Sequence, residues 1–254
     1  MRSSSKSARE DTLSRIRIAL SGPDHSGHDA TKTGIRQTGN GNHLAQEIRT
    51  RSAATRPVLV EQFKRELAAV GGAFHFASSA GAACDRIIQI ASSHKTRLAI
   101  GWNVALIEEI GLGTRLEKAD IEFFTPADRV NVEDFAKLAA SAGVGVTAVD
   151  YVLADTATLV LRTGLGRARS VSLLPPVHIA VVKPDQIIAG LDELFPLLAD
   201  HYLKSNATLD SALTFITGPS RTADIELTLV VGVHGPQELH VVLLDEDDCL
   251  KERS

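Results

Sequence analysis

One loop of the sequence combines two hydroxyls, a guanidinium and a carboxylate within seven residues, 218–224. Arg221 offers a planar fork of N–H donors that fits a carboxylate or a phosphate. Ser220 and Thr222 can donate to the oxygens of the same anion, and Asp224 can orient the arginine. The loop is therefore predicted to bind a small anion. The alternative is a capped turn in which Arg221 and Asp224 form a structural ion pair.

A histidine follows the next apolar segment, in the turn Val-His-Gly-Pro at 233–236. Imidazole is the side chain best suited to proton transfer near neutral pH. We predict that His234 and Asp224 are catalytic residues beside the anion loop. The alternative is that His234 only makes hydrogen bonds within its own turn.

A third group of polar residues lies in a hairpin and in the loop that follows it. Asp155 and Thr156 occupy the turn between two segments rich in β-branched residues, and Arg167 lies in the Gly-Leu-Gly-Arg-Ala-Arg loop at 164–169. We predict that turn and loop face each other across a cleft and that all three residues contact the bound anion. All these segments are expected at strand ends, where open α/β sheets bind ligands.

Several common cofactor sites are excluded by the sequence. Neither 111–116 nor 164–169 completes a glycine-rich dinucleotide motif, and there is no Gly-Lys-Ser/Thr loop. A Gly-x-Ser-x-Gly nucleophile elbow is also missing, which argues against a serine triad. Sites of these kinds for NAD, ATP or acyl transfer are not expected.

The cysteines and histidines do not indicate a metal centre. Cys84 and Cys249 are the only cysteines, too few and too far apart to ligate an iron–sulfur cluster or a structural zinc ion. His25, His28 and His43 lie in a glycine-rich segment with few residues able to form a core. No metal site is therefore predicted.

The elements that must position these residues alternate between helix and strand from residue 57 onwards. Residues 144–153 and 158–162 are predicted to be two strands of a hairpin, and Pro184 is expected to begin a long helix that ends near Tyr202. Period-two patterns predict further strands near 225–233 and 239–244. Together these patterns predict an α/β protein, a three-layer α/β/α sandwich with a mixed, mostly parallel sheet.

The first 56 residues are predicted to lie outside this sandwich. An amphipathic pattern over 7–20 predicts a short helix, and residues 21–56 have too few apolar side chains to offset the entropy of ordering. One helical turn near residues 44–51 is the only element considered within this linker. The predicted division is an N-terminal helix and mobile linker over 1–56, the α/β domain over 57–245, and a solvated acidic C-terminal tail over 246–254.

The composition is that of an ordinary globular protein, with 44% hydrophobic and 23% charged residues. No apolar run approaches the roughly 20 residues that cross a bilayer, and the first residues do not look like a secretory signal. We therefore predict a cytoplasmic protein without a membrane span. A net charge of −4 and only 4% aromatic residues argue against nucleic acid as a partner.

Several segments resemble the lactate utilization protein C group of the LUD domain family. The likeness includes Arg-Ile-Arg at 15–17, the turn at 154–158, Ser-Leu-Leu-Pro-Pro-Val-His-Ile at 172–179, and residues 218–226, 232–236 and 238–240. It covers about residues 6–245. In the turn the family has Glu-Thr-Gly-Thr, whereas this chain has Asp155-Thr156-Ala157-Thr158, so the acid is shorter and a glycine is missing.

The resemblance implies a fold similar to that of NagB, ribose-5-phosphate isomerase and the CoA transferases. It also implies a part in the oxidation of L-lactate to pyruvate beside iron–sulfur partner subunits. Because the sequence lacks cluster cysteines and a flavin or nicotinamide loop, we expect no cofactor in this chain and an accessory or substrate-handling role toward lactate or pyruvate. The alternative is a stand-alone anion-binding enzyme of the sugar-phosphate isomerase or CoA-transferase class.

Overall fold

The computed structural model describes residues 41–126, 132–205, 210–223, 229–232, 234–246 and 250. None of the described helices is long and apolar enough to span a membrane. The helices are α1 (Gly41–Ala54), α2 (Arg56–Ala69), α3 (Ala80–Ser93), α4 (Ala105–Glu109), α5 (Leu112–Glu117), α6 (Val132–Ser141), α7 (Ser170–Leu173) and α8 (Leu191–Ser205). The strands are β1 (Ala73–Ala77), β2 (Leu98–Gly101), β3 (Glu122–Phe124), β4 (Val144–Ala148), β5 (Tyr151–Leu153), β6 (Thr158–Thr163), β7 (Val177–Val182), β8 (Ile187–Ile188), β9 (Ala212–Ile216), β10 (Arg221–Ala223), β11 (Leu229–Val231) and β12 (Glu238–Leu244).

Six parallel strands form the central sheet, in the order β1-β12-β7-β4-β2-β3. Every residue of β4 and β7 is buried, because helices cover both faces of the sheet. Helices α3, α4 and α5 pack on one face around Ile87 and Ile179. Helices α2, α6 and α7 pack on the other face around Phe63 and Val241. This arrangement confirms the predicted three-layer α/β/α sandwich with a mostly parallel sheet.

A second sheet of four strands, in the order β8-β5-β6-β9, packs Val152 and Leu159 into the same apolar cluster as α2. The prediction of one strand over 144–153 is wrong, because β4 belongs to the central sheet and β5 to the second. The predicted hairpin is present as β5 and β6. Asp150 lies between β4 and β5, where the chain leaves the central sheet and enters the second one. Its carboxylate accepts a hydrogen bond from the Arg162 backbone N–H at 2.8 Å.

The helix predicted to begin at Pro184 begins instead at Leu191. Pro184–Gln186 forms a single 3-10 turn, and strand β8 follows it in parallel pairing with β5. Ile187 packs into the cluster around α2, whereas Ile188 packs into the cluster around α8. Neighbouring residues that are buried on opposite sides are typical of a strand in a covered sheet, so the apolar pair forms a strand.

Helix α1 corrects the predicted linker. Residues 21–56 were expected to be mobile apart from one helical turn near 44–51, but a full helix covers Gly41–Ala54, with Ala45 and Ile48 buried against α8. Two ion pairs join the same helices, with Arg49 Nη2 at 2.7 Å from Asp200 Oδ2 and Arg51 bound to Glu193. Composition alone does not reveal these ion pairs, because Asp200 and Glu193 lie 151 and 142 residues after their partners in the sequence. The predicted N-terminal helix lies outside the described residues.

The acidic residues at the end of the domain are more ordered than expected. Asp245 is buried and its backbone N–H donates to the Ala77 carbonyl at 2.9 Å. Glu246, predicted to belong to a solvated tail, accepts a hydrogen bond from the Ala80 backbone N–H at 2.9 Å. A carboxylate at this position stabilises the first turn of α3 by pairing with an unsatisfied N–H group. Residues 247–249 and 251–254 lie outside the described residues.

Replacing Ile48 by valine tests whether α1 belongs to the folded domain. Removal of one buried methylene group is expected to lower the free energy of unfolding by about 1 kcal/mol, because Ile48 is only 2% exposed. Denaturant unfolding of the two proteins measures the difference. Leu44→Ala, on the exposed side of the same helix, is the control and should change little. Equal stability of Ile48→Val and the original protein would show that α1 is not packed.

Candidate functional site

The order of the central strands reverses between β2 and β4. From β2 the chain moves outward to β3, whereas from β4 it moves the other way to β7 and then β12. Open α/β sheets bind ligands at the carboxyl ends of the strands beside such a reversal. A crevice of about 470 Å³ lies at this position, lined by residues that follow β2, β4 and β7. It is the first candidate site.

Charged side chains line this crevice, with four cations against three carboxylates. Two of the cations have further carboxylate partners outside this lining, Arg49 with Asp200 at 2.7 Å and Arg162 with Asp210 at 3.6 Å. A preference for an anion therefore depends on the partly exposed Arg167 and Lys183 rather than on a net positive charge. One weaker pair closes its rim, where Lys183 Nζ lies 3.7 Å from Glu109 Oε2. The cations are Arg49, Arg162, Arg167 and Lys183, and the carboxylates are Glu109, Asp150 and Asp185.

Asp150 organises two of these arginines. Its side chain is only 8% exposed, and besides the Arg162 backbone it accepts hydrogen bonds from Arg162 Nε at 2.9 Å and Arg167 Nη1 at 2.7 Å. Burial lowers the pKa of Arg162, but attraction to Asp150 and the hydrogen bond between them outweigh burial and raise that pKa above its ordinary value. One carboxylate thus holds two fixed positive charges at the crevice.

Arg167 is the arginine best placed to meet a ligand. Its side chain is 29% exposed, and its guanidinium carbon lies 5.5 Å from the centre of the Trp102 ring, a cation–π contact. Trp102 Nε1 donates to the Ala168 carbonyl at 3.0 Å, and this hydrogen bond fixes the indole ring against the loop that contains Arg167. Gly166 has a φ of +73°, and a Cβ there would lie 2.5 Å from the Asn103 carbonyl oxygen. This glycine permits the close approach that positions Arg167.

The turn between β5 and β6 forms a second polar site. Asp155 and Thr156 are exposed, and the Thr156 hydroxyl lies 3.1 Å from Asp155 Oδ1 and 2.9 Å from the Thr158 hydroxyl. The Thr158 hydroxyl lies 2.6 Å from that of Thr217. Ala157 has a φ of +54°, the left-handed conformation that glycine adopts most easily. The chain thus keeps the turn with alanine where the resembling family has glycine.

The expectation that this turn faces the Gly-Arg loop across one cleft is wrong. Asp155 precedes β6 and Arg167 follows it, so the length of β6, about 17 Å for its five residue steps, separates the two segments. The contacts of Asp155 are with Thr156 and with the segment at Gly190, whose Cβ would lie 2.5 Å from Asp155 Oδ2. Asp155 and Arg167 therefore do not share one anion.

The predicted anion loop and the predicted histidine do lie together. Ser220 N donates to the Pro236 carbonyl at 2.8 Å, and Gly232 N donates to the Ser220 carbonyl at 2.9 Å, so the segments on either side of the exposed His234 flank Ser220. Thr222 lies in β10, which pairs with β11, the described part of the strand predicted over 225–233. Asp224 lies outside the described residues, so its pairing with Arg221 stays a prediction.

This third site lies at the opposite edge of the sheet from the crevice. The His234 turn precedes β12, and Arg221 Nη2 donates to the Val70 carbonyl at 2.7 Å just before β1 begins. The loop is therefore beside the amino ends of β1 and β12, not at the carboxyl ends where it was expected. Because Val70 ends α2, the guanidinium also satisfies a carbonyl at a helix C-terminus.

Sequence reasoning missed Asp150, Arg162, Lys183 and Trp102 as parts of a site. Lys183 and Trp102 each follow a buried parallel strand directly, and that position was the available signal. Asp150 was hidden because 144–153 was interpreted as one strand. Arg162 lies within β6, where a charged residue gives no sequence signal of its own.

The sequence and the fold of this chain are similar to those of known proteins. The fold is similar to that of a DUF162 family protein from Deinococcus radiodurans, solved at 1.70 Å, with a TM-score of 0.50 and 19% identity over 74% of this chain and 98% of that one. Residues 60–244 match the model of the LUD domain. The chain belongs to the LUD domain family, which confirms the resemblance seen in the sequence.

Curated relatives carry the name lactate utilization protein C. The protein from Halalkalibacterium halodurans is 35% identical over 63% of this chain and 68% of its own length. Those from Shouchella clausii and Bacillus subtilis are 34% and 37% identical over 58% and 55% of this chain. The matches span only 62% and 59% of these two relatives' own lengths, less than two thirds.

Proposed function

We propose that this protein acts in lactate utilization as the subunit that binds the small carboxylate, lactate or pyruvate, while partner subunits with iron–sulfur clusters carry the electrons. Membership of the LUD domain family and the names of the relatives support the lactate system. The partly exposed guanidinium of Arg167 in the crevice beside the strand-order reversal supports a carboxylate-binding role.

The observation that carries this proposal is the placement of Arg167. Its guanidinium is partly exposed over the crevice, and Asp150 and Trp102 fix it from two sides. A guanidinium that is already fixed loses little conformational freedom when a ligand binds. Its planar fork can therefore donate two hydrogen bonds to a carboxylate, which strengthens binding and orients the ligand. Lys183 also lines the crevice, and its ammonium group can contact the α-oxygen of a hydroxy or keto acid.

The cysteines support a division of labour between subunits. Oxidation of lactate to pyruvate removes two electrons and two protons, and an iron–sulfur centre that accepts such electrons is held by about four thiolates. The chain has two cysteines. Cys84 is buried, its Sγ donates to the Ile110 carbonyl at 2.9 Å, and burial raises the pKa of its thiol. This thiol is therefore part of the packed core and is not available as a cluster ligand. We expect the electrons to leave through a partner subunit.

Arg167→Ala is expected to weaken binding of lactate and pyruvate by about 10- to 100-fold, the effect of removing a charge-assisted fork. Calorimetric titration of the full chain with each acid measures it. Arg115→Ala is the matched control, because Arg115 is an exposed arginine paired with Asp85 and lies outside the crevice. This control should bind as the original protein does.

Arg221→Ala separates the crevice from the predicted anion loop. If Arg167→Ala alone loses the carboxylate, the crevice is the site. If Arg221→Ala loses it and Arg167→Ala does not, the crevice is excluded and the loop beside Ser220 and His234 takes its place. Co-purification of the native complex from cells grown on lactate tests the partner subunits, and a chain recovered alone would count against them.

A second function is favoured by the size of the crevice. About 470 Å³ is several times the space that a three-carbon acid fills, and four cations line it. A stand-alone enzyme acting on a sugar phosphate or a CoA ester would use that room. The same titrations with sugar phosphates and CoA esters decide between the two, because only the second function predicts that these bind more tightly than lactate.

A further inference from the structure

Three side chains from distant parts of the sequence meet at the amino-terminal edge of the central sheet, on the face covered by α3. His94 directly follows α3, while Glu238 and His240 lie two residues apart in β12 and therefore point to the same face. His94 Nε2 lies 3.2 Å from Glu238 Oε2, and His240 Nε2 lies 3.0 Å from the same oxygen. The three potential ligand atoms all lie within 4.8 Å of one another.

We propose that His94, Glu238 and His240 form a binding site for a divalent transition-metal ion, with Zn²⁺ the expected occupant. Two imidazole nitrogens and one carboxylate oxygen are a known zinc donor set that leaves a fourth position for water or a ligand. Tetrahedral bonds of about 2.1 Å put ligand atoms about 3.4 Å apart. The two separations to Glu238 lie close to that value, so small side-chain rotations complete the site.

His75 supplies the outer contact that metal-binding histidines commonly have. Its Nε2 lies 3.0 Å from His240 Nδ1, and the two rings stack with an angle of 14° between their planes. When His240 donates its Nδ1 proton to His75, its Nε2 lone pair is available to a metal ion held together with the Glu238 oxygen, and the His75 contact fixes the ring for that ion. In the other tautomer His75 donates to His240 Nδ1 and His240 Nε2 donates to Glu238, which is the ion pair without a metal that the Zn²⁺ titration tests.

The site is open to solvent and joins two elements. The side chains of His94 and Glu238 are 32% and 48% exposed, whereas that of His240 is 14% exposed and firmly packed. An ion can therefore enter without unfolding. Once bound, it links the end of α3 to the start of β12, four residues beyond His234, and stabilises the folded state because it binds that state selectively.

Titration of the metal-free full chain with Zn²⁺, followed by calorimetry and by the rise in melting temperature, tests the site. One strongly bound ion per chain is expected at this cluster. His94→Ala, His240→Ala and Glu238→Gln should each weaken its binding about tenfold or more, and His75→Phe, which keeps a stacked ring but removes the acceptor, should weaken it about 10- to 100-fold. Co²⁺ should give the visible spectrum of a four- or five-coordinate site, lost in His240→Ala.

A triple variant with His25, His28 and His43 replaced by alanine is the matched control. These histidines have the metal-like spacing in the sequence, and His43 makes an exposed pair with Glu47 at 3.2 Å. The triple variant should keep full Zn²⁺ affinity. The proposal is overturned if Zn²⁺ fails to bind, if binding survives His240→Ala, or if it disappears in the triple variant, and the cluster is then an ion pair only. Melting without metal checks that each variant is folded.

Discussion

Gly145→Ala is expected to lower the free energy of unfolding by about 3 kcal/mol or more. Gly145 is the second residue of β4, where the short helix α7 packs directly on the strand. A Cβ at this position would overlap the Val171 carbonyl oxygen and would lie 3.0 Å from the Val171 carbonyl carbon and 3.1 Å from Pro175 Cγ. Backbone atoms cannot rotate away, so α7 must move off the sheet. Denaturant unfolding or a melting curve measures the loss.

Gly113→Ala is the matched control for this substitution. Gly113 lies inside α5, where an added Cβ would lie 3.4 Å from Phe123 Cδ1, an ordinary van der Waals separation. Alanine also has the higher helix propensity, so this variant is expected to be as stable as the original protein or slightly more stable. A Gly145→Ala protein that unfolds at the same denaturant concentration as the original would show that α7 does not pack against β4.

Stability is expected to fall by about 3 kcal/mol between pH 7.5 and pH 4 through His178 alone. His178 lies fully buried in β7, and burial lowers its pKa from 6.5 to about 3. Its Nε2 lies 2.9 Å from the Thr147 hydroxyl, while its Nδ1 has no partner among the described residues. A second N–H would therefore be buried without an acceptor. Between the two pKa values the unfolded chain binds the proton and the folded chain does not, so acid favours unfolding.

His178→Gln is expected to flatten this part of the pH profile, because an amide can still bond with Thr147 but cannot take up a proton. Unfolding free energies measured at several pH values give the comparison. His75 acts in the same direction, because burial and repulsion from His240 lower its pKa to about 4, so the difference between the two profiles isolates His178. His43→Gln, at an exposed site, is the control. Identical profiles for His178→Gln and the original would contradict the prediction.

The layers of the fold are predictable from sequence because each element carries its own pattern. Residues 177–182 are apolar except for His178 and form a strand buried on both faces, and 80–93 has helical spacing and a serine cap. The partition into two sheets is not predictable in the same way. Strands β4 and β5 are both mostly apolar, so 144–153 resembles one strand with a single charged residue, Asp150. Only the contact of Asp150 with Arg162 in β6 shows that the chain leaves the central sheet there.

The candidate site was predictable only in its residue types. Ser220 and His234 lie together as expected because their segments pair through backbone hydrogen bonds. Arg167 was identified, but its partners were not, since Trp102 and Asp150 come from loops 65 and 17 residues earlier in the sequence. Whether a loop lies at the amino ends or the carboxyl ends of the parallel strands depends on the direction of the strands beside it. The sequence of a single segment does not reveal that direction. The cytoplasmic location and the absence of a redox cofactor in this chain stay predictions, whereas the metal site proposed at His94, Glu238 and His240 departs from the expectation of no metal.

The position of Asp150 limits how this protein can change its ligand. The carboxylate of Asp150 contributes to the charge of the crevice. It also fixes the segment that connects the two sheets, because it accepts hydrogen bonds from the backbone and the side chain of Arg162. Loss of this acid would make the crevice more positive, yet it would also release β6 from that segment. New ligand preferences are therefore expected to arise through a rim residue such as Lys183, which can vary while the connection between the sheets stays intact, whereas Arg49 is tied to the buried Asp200.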